Sequence, residues 1–152
     1  MNRRAFVIAL FGMLAVPLTS EAQPAGKVYR LGLFQVGLDH VLPSLEPLRN
    51  TLKALGYEEG KNLWSDWRNL PDENAAHETA QEFVRNRVDL IVAFENQTVR
   101  AAKAATPTIA IVFVHVTDPV SEGFVKSLAR PGGNITGLTV SGGESQTEGD
   151  VP

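Results

Sequence analysis

The chain has 152 residues, 43% of them apolar, and a formal charge of −3, which suffices for one ordinary domain with its own core. No lysine–arginine cluster of the kind that tracks a phosphate backbone occurs in the part expected to fold, so nucleic acid is not an expected partner. Cysteine is absent, which removes disulfides, thiolate metal sites, cysteine nucleophiles and a lipid-bearing N-terminal cysteine together.

The first segment, "MNRRAFVIALFGMLAVPLTSEA", reads as a signal peptide over residues 1–22. Arg3 and Arg4 make a positive start, an apolar run follows from Ala5 to Leu18, and Ser20-Glu21-Ala22 forms a small-residue cleavage site before Gln23. The apolar run is about 14 residues, short of the roughly 20 that a membrane-spanning helix needs. The paired arginines followed by Ala-Phe resemble a twin-arginine signal, with Asn2 where Ser or Thr is usual. The expectation is export with cleavage, and a mature protein free in the periplasm.

From Val28 the chain alternates strand-like and helix-like segments. "VYRLGLFQV" (Val28–Val36) is a first strand, and "PSLEPLRNTLKALG" sets Leu45, Leu48, Leu52 and Leu55 on one helical stripe closed by Gly56. "NLWSDWR" (Asn62–Arg68) is a half-polar second strand with Trp64 and Trp67 on opposite faces. "DENAAHETAQEFVRNR" places Ala76, Ala80, Phe83 and Val84 on one helical face. "VDLIVAF" (Val88–Phe94) is apolar on both sides, as in the middle of a covered parallel sheet. A helix from about Gln97 to Ala105, a fourth strand over Thr108–Val116, a short helix "PVSEGFVKSLA" and a fifth strand over Asn134–Val140 complete the pattern. This order predicts an α/β domain over residues 23–140, with a doubly wound, mainly parallel five-stranded sheet carrying helices on both faces. Residues 141–152, rich in Gly, Ser and acid, are expected to be a disordered tail.

In such a sheet a ligand sits beyond the C-terminal strand ends, where strand order reverses. The loops that begin at Gln35, Phe94 and Val116 therefore matter, and the candidate ligand-binding residues are Gln35, Asp39, Glu95, Asn96, Gln97, Thr98, Thr117 and Asp118. Backbone N–H groups of Gln97, Thr98 and Val99 at a helix start suit a carboxylate, while Glu95, Asp39 and Asp118 suit an ammonium. That combination fits a small zwitterion such as an amino acid. The bland alternative is capping: Asn96 is a good helix N-cap, and Asp118-Pro119 is an N-cap followed by proline at the first helical position.

Enzyme motifs are thin. The turn "FQVGLDH" lacks the dinucleotide glycine fingerprint, and neither a phosphate loop nor a nucleophile elbow occurs. His40, His77 and His115 lack metal-ligand spacing, and His115 reads as a core histidine inside an apolar strand. Neither catalysis, a cofactor nor a metal is expected. A small flavodoxin-like or Rossmann-like enzyme stays as a lesser alternative.

Several stretches carry a resemblance: "NRRAF", "YRLGLF", "LKALGYEEGKNL", "VDLIVAF" with "AAKAAT", and "IAIVFVHVTDPVSEGFVKSLARPGGNITGL". Together they resemble the ABC transporter substrate-binding protein family that includes tryptophan- and tyrosine-binding members. The resemblance covers Met1 to about Thr139. It implies a type I periplasmic-binding-protein fold, a small-molecule ligand held by the strand-end loops, and an ABC permease as partner, with the membrane reached only through that permease. Family members often carry a small Gly-Thr-Pro-like loop where this chain has Glu95-Asn96-Gln97-Thr98, which implies a different pocket. The family also continues into a second lobe, so the resemblance implies an isolated first lobe: a half-site, a non-functional truncated fragment or an interaction module.

Overall fold

The computed structural model describes residues 26–37 and 45–139. The expected signal peptide, Asp39, His40 and the expected tail lie outside the described residues. Within them run β1 (Tyr29–Val36), α1 (Leu45–Ala54), β2 (Leu63–Leu70), α2 (Glu73–Arg85), β3 (Leu90–Phe94), α3 (Glu95–Ala105), β4 (Ala110–Val116) and β5 (Ile135–Thr139). The strands form one sheet in the order β2-β1-β3-β4-β5, and every neighbouring pair is parallel. This is the α/β architecture expected from the alternation.

Alternation along each strand sorts the apolar side chains into two cores. Phe34, Ile91, Ala93, Ile111 and Phe113 meet Ala76, Ala80 and Phe83 of α2 and Val99, Ala101 and Ala102 of α3. On the other face Leu31, Leu33, Val92 and Phe94 meet Leu45, Leu48 and Leu52 of α1. Trp64 packs with the first core and Trp67 with the second, as their parity requires. Phe34 and Phe83 stack edge to face with centroids 5.4 Å apart. Gly32 makes this possible: a Cβ there would stand 2.8 Å from the Phe83 ring.

Local signals set the helix ends. Asp72 accepts a hydrogen bond from the Ala75 N–H at 2.9 Å and caps α2. Gly56, at φ 90°, ends α1 in a Schellman arrangement. There the Tyr57 N–H donates to the Leu52 carbonyl at 2.8 Å, and the Gly56 N–H to the Lys53 carbonyl at 3.0 Å. The two faces are unequally covered. The helices α2 and α3 each bury a stripe, whereas α1 buries no residue fully, and Leu55, expected on its stripe, is 65% exposed.

Three expectations are corrected. The helix expected over 119–129 is instead a run of turns, because Gly123 takes φ 71° and the adjacent Phe124 and Val125 both turn into the core. Backbone bonds from Gly123 to Val120 (2.9 Å) and from Phe124 to Pro119 (2.9 Å) hold those turns. Helix α3 starts at Glu95 rather than near Gln97. His115 is exposed, although it lies within an apolar strand.

Candidate functional site

The strand order places the reversal between β1 and β3: the chain winds outward from β1 to β2 on one side and from β3 to β5 on the other. A crevice at such a point, beyond the C-terminal strand ends, is where open α/β sheets bind ligands. Gln35, Glu95, Asn96, Gln97, Thr98, Thr117 and Asp118 all lie at that end of the sheet, on or just after β1, β3 and β4. Asp39 follows β1 in sequence but is outside the described residues.

These residues differ in what they offer. Gln35 is fully buried at the end of β1, with its Nε2 donating to Asn69 Oδ1 at 3.2 Å across the β1–β2 pair. Thr98 is also buried, and its hydroxyl turns back to donate to the carbonyls of Phe94 and Glu95. That bond spends the hydroxyl on the helix itself, so Thr98 supports the turn instead of presenting its donor. Gln97 is exposed. Because α3 begins at Glu95, its first turn spans 95–98, and Val99, expected to lend its N–H to a carboxylate, lies in the core.

Asn96 is not the N-cap that its residue type suggests; the cap position belongs to Phe94, which makes no side-chain bond. The Asn96 amide instead clamps the next strand-end loop. Its Oδ1 accepts from the Thr117 N–H at 3.1 Å, and its Nδ2 donates to the Thr117 carbonyl at 3.3 Å and to Glu122 Oε1 at 3.0 Å. Glu122 Oε2 in turn accepts from Arg100 Nη1 at 3.0 Å, and Arg100 Nε reaches Glu73 at 3.1 Å. Lys103 donates to the Gly123 carbonyl. Asp118 is exposed and caps its turn, accepting from the Ser121 N–H at 3.1 Å. Hydrogen bonds from the Ser121 side chain and backbone hold its carboxyl below the usual range. The capping reading therefore holds for Asp118, in a turn instead of a helix.

Glu95, just after β3, is half-buried. Partial burial pushes its carboxyl up, and the charge of His115 works against that push. Three of the four non-glycine residues with positive φ among the described residues cluster here: Glu95 (71°), His115 (59°) and Asp118 (44°). Left-handed conformations at bulky residues cost on the order of 1 kcal/mol each and concentrate at functional edges. Sequence reasoning missed His115 and the Glu122–Arg100 bridge. The available signal for His115 was its place one residue before the end of β4. For Glu122, a partner 22 residues away in sequence left no local trace.

A groove of about 310 Å³ lies elsewhere, between α1 and the sheet. Leu31, Leu33, Leu48, Leu52, Leu63 and Trp67 line it, and it reflects the shallow seating of α1. Among the described residues no group of three or more His, Asp or Glu side chains is placed to hold a metal ion, and no helix is long and apolar enough to cross a membrane.

A family model described as ABC transporter substrate binding protein matches residues 36–148. The chain is similar to a tyrosine-binding protein of Clostridioides difficile (strain R20291), 38% identical over 118 residues that make 74% of this chain and 33% of that protein. It thus spans about a third of the length of that curated relative. Among solved structures it resembles a conserved domain protein from Vibrio cholerae, at 39% identity and a TM-score of 0.66. It also resembles the ligand-free, open form of a substrate-binding protein with adhesive properties from Clostridium difficile, at 31% identity and a TM-score of 0.66. A third is an ABC domain in complex with L-Trp from Streptococcus pneumonia, at 25% identity and a TM-score of 0.64. Each covers 74% of this chain and 39% of the other.

Proposed function

Because this chain belongs to the ABC transporter substrate-binding protein family, we propose that it supplies one wall of a ligand site for an aromatic amino acid and serves an ABC importer through its permease. The observation that carries this reading is the switch point itself. The β2-β1-β3-β4-β5 order brings Glu95, Asn96, Thr117 and Asp118 together at the strand ends where such a ligand would sit. The names of the relatives, tyrosine-binding in one and bound to L-Trp in another, support the ligand class. The α3 first turn would face the carboxylate and Glu95 the ammonium. The signal-like residues 1–22 support export to the periplasm.

Titration calorimetry of the full chain with L-tyrosine, L-tryptophan and a panel of aliphatic and acidic amino acids tests the reading. Binding confined to the aromatic pair is the expected result. Binding of none of the panel would retire the amino-acid ligand. Recovery of the protein only from the cytoplasmic fraction, with residues 1–22 retained, would retire export.

A further inference from the structure

Phe94 and Val114 form the last rung of the β3–β4 ladder, so Glu95 and His115 are the next residue on each of two adjacent strands. Both leave the strand in the left-handed region, at φ 71° and 59°. At His115 the β4–β5 register slips from Val114↔Leu138 to Val116↔Thr139, which makes His115 the extra residue of a β-bulge. A bulge turns its residue out of the regular pleat and is a recurrent way to aim a side chain at a site. Without it, alternation would carry His115 to the face of Ile111 and Phe113; with it, the imidazole is exposed and its charge acts on the Glu95 carboxylate.

We propose that Glu95 and His115 form a proton-gated ammonium site: open to the ligand's ammonium when His115 is neutral, closed when His115 is protonated. The inference rests on the amino-acid reading above. A protonated imidazole supplies Glu95 with a cation of its own and repels a second one. A neutral imidazole leaves a partly buried carboxylate that an incoming ammonium satisfies. Histidine titrates in the range that makes such a gate useful.

Among the described residues, the other charged groups on these elements are engaged elsewhere. On α3, Arg100 is held by Glu73 of α2 and by Glu122, and Lys103 is held by the Gly123 carbonyl. In the segment after β4, Asp118 is engaged by Ser121 and Glu122 by Arg100 and Asn96. The ends of β1 and β5 bring Gln35 and Thr139, which carry no charge. His40 and Asp39 belong to the segment outside the described residues, so a variant at His115 is needed to isolate its contribution.

The test is the affinity of the full chain for L-tyrosine, L-tryptophan and the desamino analogue 3-(4-hydroxyphenyl)propionate, measured from pH 5.5 to 7.5 in wild type, H115Q and E95Q. The imidazole titration is followed in parallel by NMR without ligand. Wild-type affinity for the amino acids is expected to rise about tenfold across the range, with under twofold change in H115Q. E95Q is expected to bind about tenfold more weakly at pH 7.5, to keep a shallower rise with pH because protonated His115 still repels the ammonium, and to perturb the His115 imidazole signals once the neighbouring carboxylate is gone. Affinity for the desamino analogue is expected not to rise with pH. A flat wild-type profile, or a slope that survives H115Q, overturns the gate. An imidazole titration unmoved by E95Q overturns the pairing while leaving tyrosine binding intact. If neither amino acid binds at any pH although E95Q still moves the imidazole, the ligand class itself fails, and the pair is a structural contact with no ammonium role.

Discussion

Asn96 joins two loops that are 21 residues apart in sequence, spending both ends of its amide on the Thr117 backbone. A side chain that fixes another loop's backbone in this way controls the shape of a site without touching a ligand. N96A is expected to cost about 1–2 kcal/mol in chemical denaturation. It should also speed amide hydrogen exchange at Thr117 far more than in the core of β3. Glu95 makes the opposite contribution. Its folded-state carboxyl is raised, mainly by burial, so the folded chain binds that proton more tightly than the unfolded chain does. The resulting penalty is absent at acid pH, grows as pH rises through the ordinary glutamate range to the raised value, and persists above it. E95Q is therefore expected to be more stable than wild type near pH 7, by no more than about 0.5 kcal/mol for a group only partly buried. The gap should close below about pH 4, and thermal melts at both pH values read it directly.

At the scale of elements, the fold depends on the contact between β1 and α2. Phe83 is fully buried against Phe34, and Gly32 leaves the space its ring occupies. F83A is expected to cost about 3–5 kcal/mol by cavity formation. G32A should cost about 1–3 kcal/mol by overpacking, since its Cβ would stand 2.8 Å from that ring. Urea denaturation of the two variants separates these sizes. The segment 119–129 carries the opposite lesson about elements. Its composition permits a helix, yet Phe124 and Val125 both need burial and Gly123, at φ 71°, leaves the helical path just before them. Turns meet that need, and Pro119 and Gly123 make them cheap to form.

At the scale of the molecule, the sheet is covered unevenly. Among the described residues β5 is an edge strand, and on the α1 side of β4 and β5 the side chains of Val112 and Val114 are half-buried and Leu138 is 70% exposed. An exposed edge with an apolar face favours strand-to-strand association. L138K is expected to lower concentration-dependent association in light scattering while changing stability by less than about 0.5 kcal/mol. The strand order has the further consequence that the proposed site lies at one end of the sheet and not in the groove under α1.

The sequence by itself determined the succession of strands and helices apart from the helix expected over 119–129, the Gly56 boundary, the opposed faces of Trp64 and Trp67, and the strand ends that are candidates for a site. All of these follow from local physics: periodicity, capping and backbone freedom act within a few residues and leave their mark there. The family resemblance added the architecture, because "LGYEEGKNL" and "DPVSEGFVKSLARPGGNITG" are long enough to be specific. Only the tertiary structure decided that Asn96 clamps Thr117 instead of capping α3, that Thr98 is spent on its own helix, and that His115 leaves the core through the β4 bulge. The Asn96 clamp and the placement of His115 depend on a neighbour brought near by strand pairing, whereas the Thr98 bond is local. The β4 bulge depends on the register with β5, which local sequence pattern does not encode. A side chain's role at a strand end is set by what the next strand delivers to it, and that is a property of the assembled sheet.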